Sequence, residues 1–362
     1  MSRPKLKLVV SDFHLGKGPY LPNGERNYLE DFFYDQKFAE FLNYYCAGDY
    51  EKADIELIIN GDFFNHLQVD PRELYPELIT ERVAVARTGA IIDGHLQIFE
   101  ALKKFAAAPN HKIIFMIGNH DLGLFFPLVQ RQVVDCIGGG TRVHNMPQYV
   151  TDSVVIEHGS QQVAENWVDF QHPFIKEDVS EPIINLPWGD LFVIRFLNRV
   201  KRVRPYIDKV FPFKQYLKWA LLHDTLFALK TSAIGIWYFL QVFLGIGENK
   251  KFRDKRMLKI VKEFSFPVKM HRAAKHVITS HPECRIVVFG HGHRATQRQF
   301  KDGREYYNTG IWNEMISFDV GSFGRTLRFT FVEICYDRDI IPKGQLKEWK
   351  GCYREIEDVI IV

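Results

Sequence analysis

Five segments of the chain share one design, in which a run of apolar and β-branched residues is followed at once by aspartate, asparagine or histidine. The clearest example is residues 113–121, where Gly118 ends an apolar run just before Asn119. Such a run is typical of a buried strand, and ligands of open α/β sheets gather at the carboxyl ends of the strands. Each segment therefore predicts a strand that delivers polar side chains to one edge of a sheet.

The other four segments end in similar side chains. Strands are predicted over residues 6–10, 55–62, 150–157 and 285–289, and they deliver Asp12 and His14, then Asp62, then His158, then His291 and His293. Asp12 and His14 are two residues apart, so in extended backbone both leave the same side and can hold one ion. Any single member could instead be a loop residue or a hydrogen-bonded core histidine.

Taken together with Asn119, these seven oxygen and nitrogen donors suit two divalent metal ions that share one carboxylate better than they suit a single ion. Two ions about 3.5–4 Å apart can clamp a phosphate, lower the pKa of a water and stabilise an in-line displacement. The sequence therefore predicts a dinuclear metal site for phosphate ester chemistry.

The remaining periodicity indicates an α/β protein. Helical spacing covers residues 28–45 and, with a break near Gly89 or Gly94, residues 77–105. Strands are also predicted over residues 306–312 and 326–336. Because strands and helices alternate in the first half and strands dominate the last third, we expect a mixed sheet arrangement.

Composition narrows the class of protein. The 362 residues are 46% hydrophobic and 25% charged, which allows one large or two ordinary domains. The five cysteines are scattered without CxxC spacing, so they indicate neither a disulfide framework nor a thiolate zinc site. The first seven residues lead directly into a strand, without the apolar core of a signal peptide. We therefore expect a cytoplasmic protein.

The ordered motifs resemble those of the calcineurin-like metallophosphoesterase superfamily over about residues 6–160 and 284–313. They are Asp12-Phe13-His14, Gly61-Asp62, Gly118-Asn119-His120-Asp121, His158-Gly159 and Gly290-His291-Gly292-His293. The resemblance implies an α/β fold in which a β-sandwich is flanked by helices (αββα). It also implies a catalytic domain of residues 1–160 and 277–362, interrupted by an insertion of residues 161–276.

The resemblance further implies a role for each motif residue. Asp12, His14 and His293 would hold the first metal and Asn119, His158 and His291 the second, with Asp62 bridging them. His120 would be the catalytic residue, acting as an acid on the leaving group or as a charge stabiliser. Asp121 would orient its neighbours or cap its loop. The expected cofactors are two divalent ions, with Mn²⁺ first and Fe²⁺ or Zn²⁺ as alternatives.

One position departs from the family pattern. Protein phosphatases of this superfamily carry an aspartate three residues after the bridging aspartate, and Asn65 stands at that position here. An amide cannot raise the pKa of the catalytic histidine as a carboxylate does. This departure argues against a protein phosphatase and leaves the predicted metal site unaffected.

The insertion has an unusual distribution of charge. Residues 195–262 hold 16 lysines and arginines against four acidic residues, a surplus of 12 positive charges in a chain whose net charge is +3. The basic residues include Arg195, Arg199 and Arg202, and they flank the uncharged run 231–247, which contains Trp237 and Phe239. Such a segment predicts contact with an anionic partner.

Several interpretations of this insertion stay open. The apolar run is short for a transmembrane helix and contains three glycines. A basic amphipathic cap on an anionic membrane surface fits better, with Trp237, Phe239 and Phe243 in the interface. A helical subdomain that packs on itself is the plainer alternative. Aromatic and basic residues could also stack on single-stranded nucleic acid, although the apolar run gains nothing from that.

A helical, apolar insertion beside a phosphate site resembles the plan of the UDP-2,3-diacylglucosamine pyrophosphatases. The likeness lies in the plan and not in matched insertion residues, and those enzymes tend to have arginine where His120 stands. It implies hydrolysis of a phosphoanhydride or phosphodiester in a membrane-associated lipid precursor, by an enzyme peripheral to the cytoplasmic face of a membrane. The alternatives are a nucleotide phosphodiesterase or nuclease, and a scaffold without catalysis, which would be expected to have lost ligands.

Overall fold

The computed structural model describes residues 3–69, 76–211, 213–244, 256–265, 268–318, 323–336 and 341–351. Its strands are β1 (Lys5–Val10), β2 (Asp54–Asn60), β3 (His111–Met116), β4 (Thr141–His144), β5 (Gln148–Thr151), β6 (Val154–Glu157), β7 (Phe174–Ile175), β8 (Ile183–Ile184), β9 (Val210–Phe211), β10 (Ile286–Phe289), β11 (Thr296–Gln299), β12 (Glu305–Asn308), β13 (Glu314–Ser317), β14 (Gly324–Leu327), β15 (Phe329–Tyr336) and β16 (Pro342–Trp349). Its α-helices are α1 (Asp35–Tyr44), α2 (Glu81–Gly94), α3 (Leu96–Ala106), α4 (Pro127–Ile137), α5 (Trp188–Phe192), α6 (Asn198–Lys201), α7 (Phe213–His223), α8 (Thr225–Leu244), α9 (Met257–Ser265) and α10 (Met270–Thr279).

The first sheet has the strand order β16-β15-β1-β2-β3-β4. β1, β2, β3 and β4 run parallel, and β15 and β16 add an antiparallel edge. Because successive side chains of a strand point to opposite faces, Leu8 and Leu57 pack under the helices while Val9 and Ile58 point to the other side. Both faces of this sheet are therefore apolar.

The second sheet has the order β11-β12-β10-β6-β5, with β6, β10 and β12 parallel. Ile156 and Val288 of this sheet belong to the same buried cluster as Val9 and Ile58 of the first sheet. The two sheets thus pack face to face as a sandwich. Helices α1 to α4 cover the outer face of the first sheet, and α10 covers the outer face of the second. The predicted αββα arrangement is confirmed.

The predicted boundary between insertion and catalytic domain at residue 276 falls inside a helix. Helix α10 runs through this position, and Ala274 and Val277 pack in one cluster with Val287 and Phe289 of β10. The whole helix thus belongs to the catalytic domain, because its apolar face covers the second sheet.

The first part of the insertion is joined to the catalytic domain by hydrogen-bonded backbone. The backbone N–H of Ile184 donates to the carbonyl of Ile79 at 2.9 Å. β9 pairs with β13, so that Val210 lies opposite Ile316. This part is therefore an integral layer of the fold.

Helices α7, α8 and α9 form the outer part of the insertion. Several of their large apolar side chains are exposed, including Leu222 at 78%, Leu226 at 85% and Leu258 at 79%. Within the described ranges, no helix combines the length and apolar character needed to cross a membrane. The end of the predicted apolar run, residues 245–247, and residues 250–255 of the second basic stretch lie outside the described residues.

Several predicted elements differ in extent from the observed ones. The strand predicted over residues 306–312 ends at Asn308, and residues 326–336 are divided between β14 and β15. Residues 150–157 are not one strand, because Asp152 and Ser153 both have positive φ and form the tight turn of a hairpin between β5 and β6. The first helix begins only at Asp35. The preceding loop is held by the Glu30 carboxylate, which accepts the backbone N–H groups of Gly16 and Gly18.

Candidate metal centre

The turns that follow β2, β6 and β10 meet at one edge of the sandwich. The side-chain amide of Asn60 donates to the carbonyl of Glu157 at 3.0 Å, and Nδ1 of His158 lies 2.7 Å from the carbonyl oxygen of Asn60. The backbone N–H of Gly290 donates to the carbonyl of His158 at 2.9 Å. Hydrogen bonds between the two sheets therefore bring the ends of these strands together.

Most of the predicted ligands have left-handed backbone. The residues concerned are Asp12 (φ 58°), His14 (φ 52°), Asp62 (φ 53°), His291 (φ 60°) and His293 (φ 52°). Only three further non-glycine residues of the described chain share this conformation. The left-handed region is uncommon for residues with a Cβ, and such strain clusters at functional sites. It turns each side chain inward immediately after its strand ends.

Glycines give the ligand turns room to approach one another. A Cβ on Gly118 would collide with the Asp62 carboxylate and lie 2.5 Å from the Asp62 backbone nitrogen. A Cβ on Gly290 would lie 2.5 Å from Ser11 Oγ and 2.8 Å from Asp12 Oδ2. The glycines of these motifs are thus required by close packing.

Asp12, His14 and His293 form the first group of ligands. Nε2 of His293 lies 3.4 Å from Asp12 Oδ1 and 3.3 Å from Nε2 of His14. One donor atom from each residue lies within 4.8 Å of the other two. These are the three residues that the sequence predicts for the first metal.

Asp62, His158 and His291 form a second group of the same size. Oδ2 of Asp62 lies 3.2 Å from His158 Nε2 and 3.9 Å from His14 Nε2. The Asp62 carboxylate therefore stands between the two groups, where a bridging ligand is predicted.

Two donor atoms of predicted ligands, Asn119 Oδ1 and His291 Nδ1, are buried without a hydrogen-bond partner among the described residues. A buried polar atom without a partner costs stability, so such a cluster needs an occupant. Carboxylate, amide and imidazole donors suit divalent transition metals. The residues present fit two metal ions.

The charges of the site favour cation binding. Burial lowers the pKa of His14 and of His291 to about 3, with neighbouring histidines adding to the shift, so both rings are neutral donors. Burial opposes ionisation of Asp62, but the charges of His158 and His120 hold the pKa of this carboxyl well below its usual value. Burial also lowers the pKa of His158, whereas the Asp62 charge raises it to about 10 overall. A bound metal would take the place of that proton.

His120 lies beside both groups of ligands. Its ring packs edge-on against His14 with centroids 4.5 Å apart, and its backbone N–H donates to Asp62 Oδ1 at 2.8 Å. Nδ1 lies 3.1 Å from Oδ1 of Asn65, whose amide donates to Gln68 Oε1 at 2.7 Å. Asn65 thus occupies the position next to the histidine that a carboxylate holds in protein phosphatases. Burial lowers the pKa of His120.

Asp121 holds the loop that carries the neighbouring ligands. Its two carboxylate oxygens accept the backbone N–H groups of Gly118 at 2.6 Å and Phe63 at 3.0 Å. Burial and the charge of Asp62 raise the pKa of this carboxyl to about 8. These contacts fit the loop-capping alternative.

Two side chains of the insertion reach the ligands and were not predicted from the sequence. Asn119 donates from Nδ2 to Asp190 Oδ1 at 3.3 Å, and the Asn166 amide lies 3.2 Å from Nε2 of His291. Neither residue belongs to a recognisable motif. The sequence signal that could have indicated Asp190 is an acidic residue between Trp188 and Leu191 in an apolar segment.

Three basic residues of the insertion are buried, whereas most of the others that the structure describes are exposed. Arg195 is only 8% exposed and donates from Nε to Glu77 at 2.7 Å. Lys201 is fully buried against Asp31 and Asp208, and Lys209 also pairs with Asp31. The prediction that Arg195 meets an anionic partner is therefore wrong, because its charge is used inside the protein.

Three of the other predicted binding residues of the insertion are exposed, and the fourth is half-buried. Arg199 is exposed and donates to the Tyr238 hydroxyl at 2.6 Å. Arg202 and Trp237 are also exposed. Phe239 instead packs edge-on against Trp188 with centroids 5.6 Å apart, so the prediction that it faces a membrane is corrected.

A cavity of about 130 Å³ opens beside the first group of ligands. Its walls include His14, His120 and His293 on one side, and the insertion contributes Leu197, Asp208 and Lys209 on the other. Two atoms on its lining residues, Asn313 Oδ1 and Asp208 Oδ1, are buried acceptors without a hydrogen-bond partner in the part of the chain that the structure describes.

Comparisons with known proteins give a consistent but weak picture. A scan against family models and a search of curated proteins each found no match. Among solved structures, a predicted phosphoesterase from Streptococcus pneumoniae is 10% identical, with 98% of this chain and 95% of that chain covered and a TM-score of 0.31. A dimetal phosphatase from Danio rerio is 10% identical, with 96% and 100% covered and a TM-score of 0.37.

Vacuolar protein sorting 29 from Cryptosporidium parvum is a third similar structure. It is 13% identical, with 96% of this chain and 98% of that chain covered and a TM-score of 0.28. At these identities and TM-scores the likeness carries no argument of its own.

Proposed function

We propose that this protein is a phosphoesterase that depends on two divalent metal ions and hydrolyses a phosphoanhydride or a phosphodiester. The observation that carries this proposal is the Asp62 carboxylate, which stands between the Asp12, His14 and His293 group and the His158 and His291 group. A carboxylate shared between two sets of neutral and anionic donors is the arrangement that a pair of divalent ions requires.

The residues that would hold the ions are the seven predicted ligands, with Asn119 completing the second set. Bound there, two ions would supply charge stabilisation to the phosphoryl oxygens and activate a water molecule. The protein contributes the orientation of the substrate and the placement of protons. Ligand turns held by glycine contacts and by hydrogen bonds between sheets keep this arrangement rigid before substrate binds.

His120 is placed to exchange a proton with a substrate oxygen. Because the Asn65 side chain donates its N–H to Gln68, its oxygen faces His120 and keeps the proton on Nδ1. The nitrogen that remains for the substrate is Nε2. His120 would protonate the leaving oxygen or stabilise its charge from Nε2 when the ring carries a second proton, because the neutral ring protonated at Nδ1 has only a lone pair there.

For the substrate, we propose a lipid precursor such as UDP-2,3-diacylglucosamine, presented at an anionic membrane surface. Exposed Leu222, Leu226, Trp237 and Leu258 lie on α7, α8 and α9, and exposed lysines such as Lys230 accompany them. Apolar side chains with nearby lysines are the chemistry that binds an anionic bilayer surface. The cavity beside the ligands, which Val193, Leu197 and Ile311 line together with polar residues, would take the part of the substrate next to the phosphate.

The alternative of a nuclease or nucleotide phosphodiesterase gains little from the structure. Its support was the positive surplus of the insertion, but three of these cations, Arg195, Lys201 and Lys209, form ion pairs with carboxylates of the protein. Fewer cations are left for a phosphate backbone.

The decisive experiment is phosphorus NMR of Mn²⁺-loaded protein with UDP-2,3-diacylglucosamine in mixed micelles. We expect UMP and a lipid monophosphate to appear, and Asp62→Ala to abolish turnover. Cleavage of an aryl phosphodiester without cleavage of the lipid would remove the lipid substrate and keep the phosphoesterase. Full activity of Asp62→Ala would remove the metal mechanism.

Membrane association has its own test. Wild-type protein should sediment with vesicles that contain phosphatidylglycerol and less with pure phosphatidylcholine. Leu222→Glu with Leu226→Glu should weaken this binding, because charge at these exposed positions opposes insertion into the interface. The matched control is Leu96→Glu, an exposed leucine on α3 of the catalytic domain. Equal binding by all variants would exclude Leu222 and Leu226 as the contact, and failure of the wild type to sediment with anionic vesicles would exclude the membrane surface.

A further inference from the structure

Asp190 fixes one of the predicted ligands of the second metal. Its side chain is fully buried, and Oδ1 accepts a hydrogen bond from Asn119 Nδ2 at 3.3 Å. Oδ1 of Asp190 can accept this hydrogen bond whether or not the other oxygen carries a proton, so the amide of Asn119 turns its NH₂ group toward Asp190. Oδ1 of Asn119, buried without a hydrogen-bond partner among the described residues, is then the end that is free for a metal ion.

Asn166 makes a comparable contact with the other ring of this set. Its side-chain amide lies 3.2 Å from Nε2 of His291. Nδ1 of the same ring is buried without a hydrogen-bond partner in the described chain, so it is the nitrogen open to a metal. Contacts to the second nitrogen of a ligating histidine set its ring orientation and tautomer.

Asn166 and Asp190 are held close to each other by packing within the insertion. A Cβ at Gly189 would lie 3.0 Å from the carbonyl oxygen of Glu165 and would collide with Oδ1 of Asn166. Glycine at 189 therefore lets helix α5 press against residues 164–166.

Helix α5 is itself fixed on two sides. Leu191 is buried in the main core under the first sheet, and Trp188 packs with Met257 and Ile260 of α9. The position of Asp190 is thus set by two hydrophobic clusters. Residues on such a support can orient a ligand without being ligands themselves.

We propose that Asn166 and Asp190 are positioning residues for the second metal. These two residues of the insertion would orient His291 and Asn119, which are predicted ligands of that metal. This inference rests on the proposed metal-dependent function. It assigns the insertion a role in metal affinity that is separate from any contact with lipid. Partners in the layer outside the ligands typically contribute about 10- to 100-fold to metal affinity.

The test is Mn²⁺ binding to metal-free full-length protein, followed by calorimetry and by electron paramagnetic resonance of the coupled ion pair. Wild type should bind two Mn²⁺ and show the coupled spectrum. Asp190→Ala and Asn166→Ala should bind the second Mn²⁺ about 10- to 100-fold more weakly and lose the coupled signal. Asp190→Asn, which keeps an oxygen acceptor, should retain most of the second site.

Val200→Ala is the matched control, because Val200 is buried in a different cluster of the insertion, with Phe196 and Ile207. It should lower the melting temperature and leave two Mn²⁺ bound. Loss of the second ion in Val200→Ala to the same degree as in Asp190→Ala would overturn the positioning role. So would wild-type affinity in Asp190→Ala and Asn166→Ala, or fewer than two Mn²⁺ in wild type.

The two proposals fail in different ways. Wild-type protein that binds two coupled Mn²⁺ and hydrolyses no phosphoester would end the proposed function and leave the role of Asn166 and Asp190 in place. If the protein hydrolyses a phosphoester and Asp190→Ala still binds both ions with wild-type affinity, the proposed function stands and the positioning role of Asp190 fails.

Discussion

Gly118 matters to the site as much as the ligand that follows it. The turn after β3 passes so close to Asp62 that a single methyl group would meet both the carboxylate and the backbone nitrogen of that residue. Neither partner can move easily, because Asp62 has left-handed backbone and also accepts the N–H of His120. A substitution of Gly118, which has no side-chain donor atom, should therefore weaken metal binding.

We expect Gly118→Ala to cost about 1–3 kcal/mol of folding free energy and to reduce the Mn²⁺ bound per chain, because the added Cβ displaces the bridging carboxylate. Urea unfolding and metal analysis of the purified variant measure the two effects. The matched control is Gly235→Ala in α8, where the new Cβ finds only Phe196 at 3.5 Å. Two tightly bound Mn²⁺ in Gly118→Ala would contradict this account of the turn.

At the scale of the elements, His95 joins three segments around the start of the site. It lies at the break between α2 and α3, with Nδ1 2.9 Å from Asp35 of α1 and Nε2 3.5 Å from Glu30. Burial lowers the pKa of this ring, but its hydrogen bonds to Asp35 and Glu30 raise it to about 9 overall. The protonated ring therefore holds α1 and the Glu30 loop to the helix break.

This pKa gives the stability of the fold a defined pH dependence. A pKa raised from 6.5 to about 9 means that the contribution of His95 is complete below pH 6.5 and is lost as the pH rises through about 9. The shift corresponds to about 3 kcal/mol. Urea unfolding of wild type between pH 6 and 10 should show this decline in the free energy of unfolding, and His95→Gln should lack it. Parallel curves for the two proteins would exclude the linkage.

At the scale of the whole molecule, a buried charge network ties the insertion to the catalytic domain. Nζ of Lys201 lies 2.8 Å from Asp31 Oδ2 and 2.6 Å from Asp208 Oδ2, and it donates to Gln68 Oε1 at 3.2 Å. Asp31 belongs to the loop before α1, whereas Lys201 and Asp208 belong to the insertion. The network continues to the site, because Gln68 also binds Asn65 beside His120.

We expect Lys201→Met to lower the free energy of unfolding by about 3–5 kcal/mol, since it leaves buried carboxylates without their cation. Denaturant titration followed by circular dichroism measures the change. Lys230→Met, an exposed lysine in the same insertion, should change stability by no more than about 0.5 kcal/mol. A similar small change for Lys201→Met would show that the insertion folds without this anchor.

The sandwich and its ligand edge were predictable because they depend on local patterns. Each strand of the parallel core is a short apolar run, and Asp12, Asp62 and His158 follow directly after such runs. The carboxyl ends of parallel strands lie at the same edge of their sheet, so the position of these residues follows from the local strand pattern. The structure accordingly brings together the six carboxylate and imidazole ligands predicted for the two metals.

The insertion was less predictable because its important contacts are between distant residues. A count of lysines and arginines cannot show that Lys201 meets Asp31 or that Arg195 meets Glu77. Phe239 was taken as exposed for the same reason, since its partner Trp188 lies far away in the sequence. Composition described the charges of this segment, and only the tertiary structure shows where they point.

The meeting of His14 with His293 constrains the order of events during synthesis. These rings are separated by 279 residues along the chain, yet their Nε2 atoms lie 3.3 Å apart. A nascent polypeptide has finished β1 long before His293 leaves the ribosome. Until then it carries Asp12 and His14 without the third member of their set. An ion held by all three of these ligands, as proposed, could therefore bind only after His293 has joined Asp12 and His14.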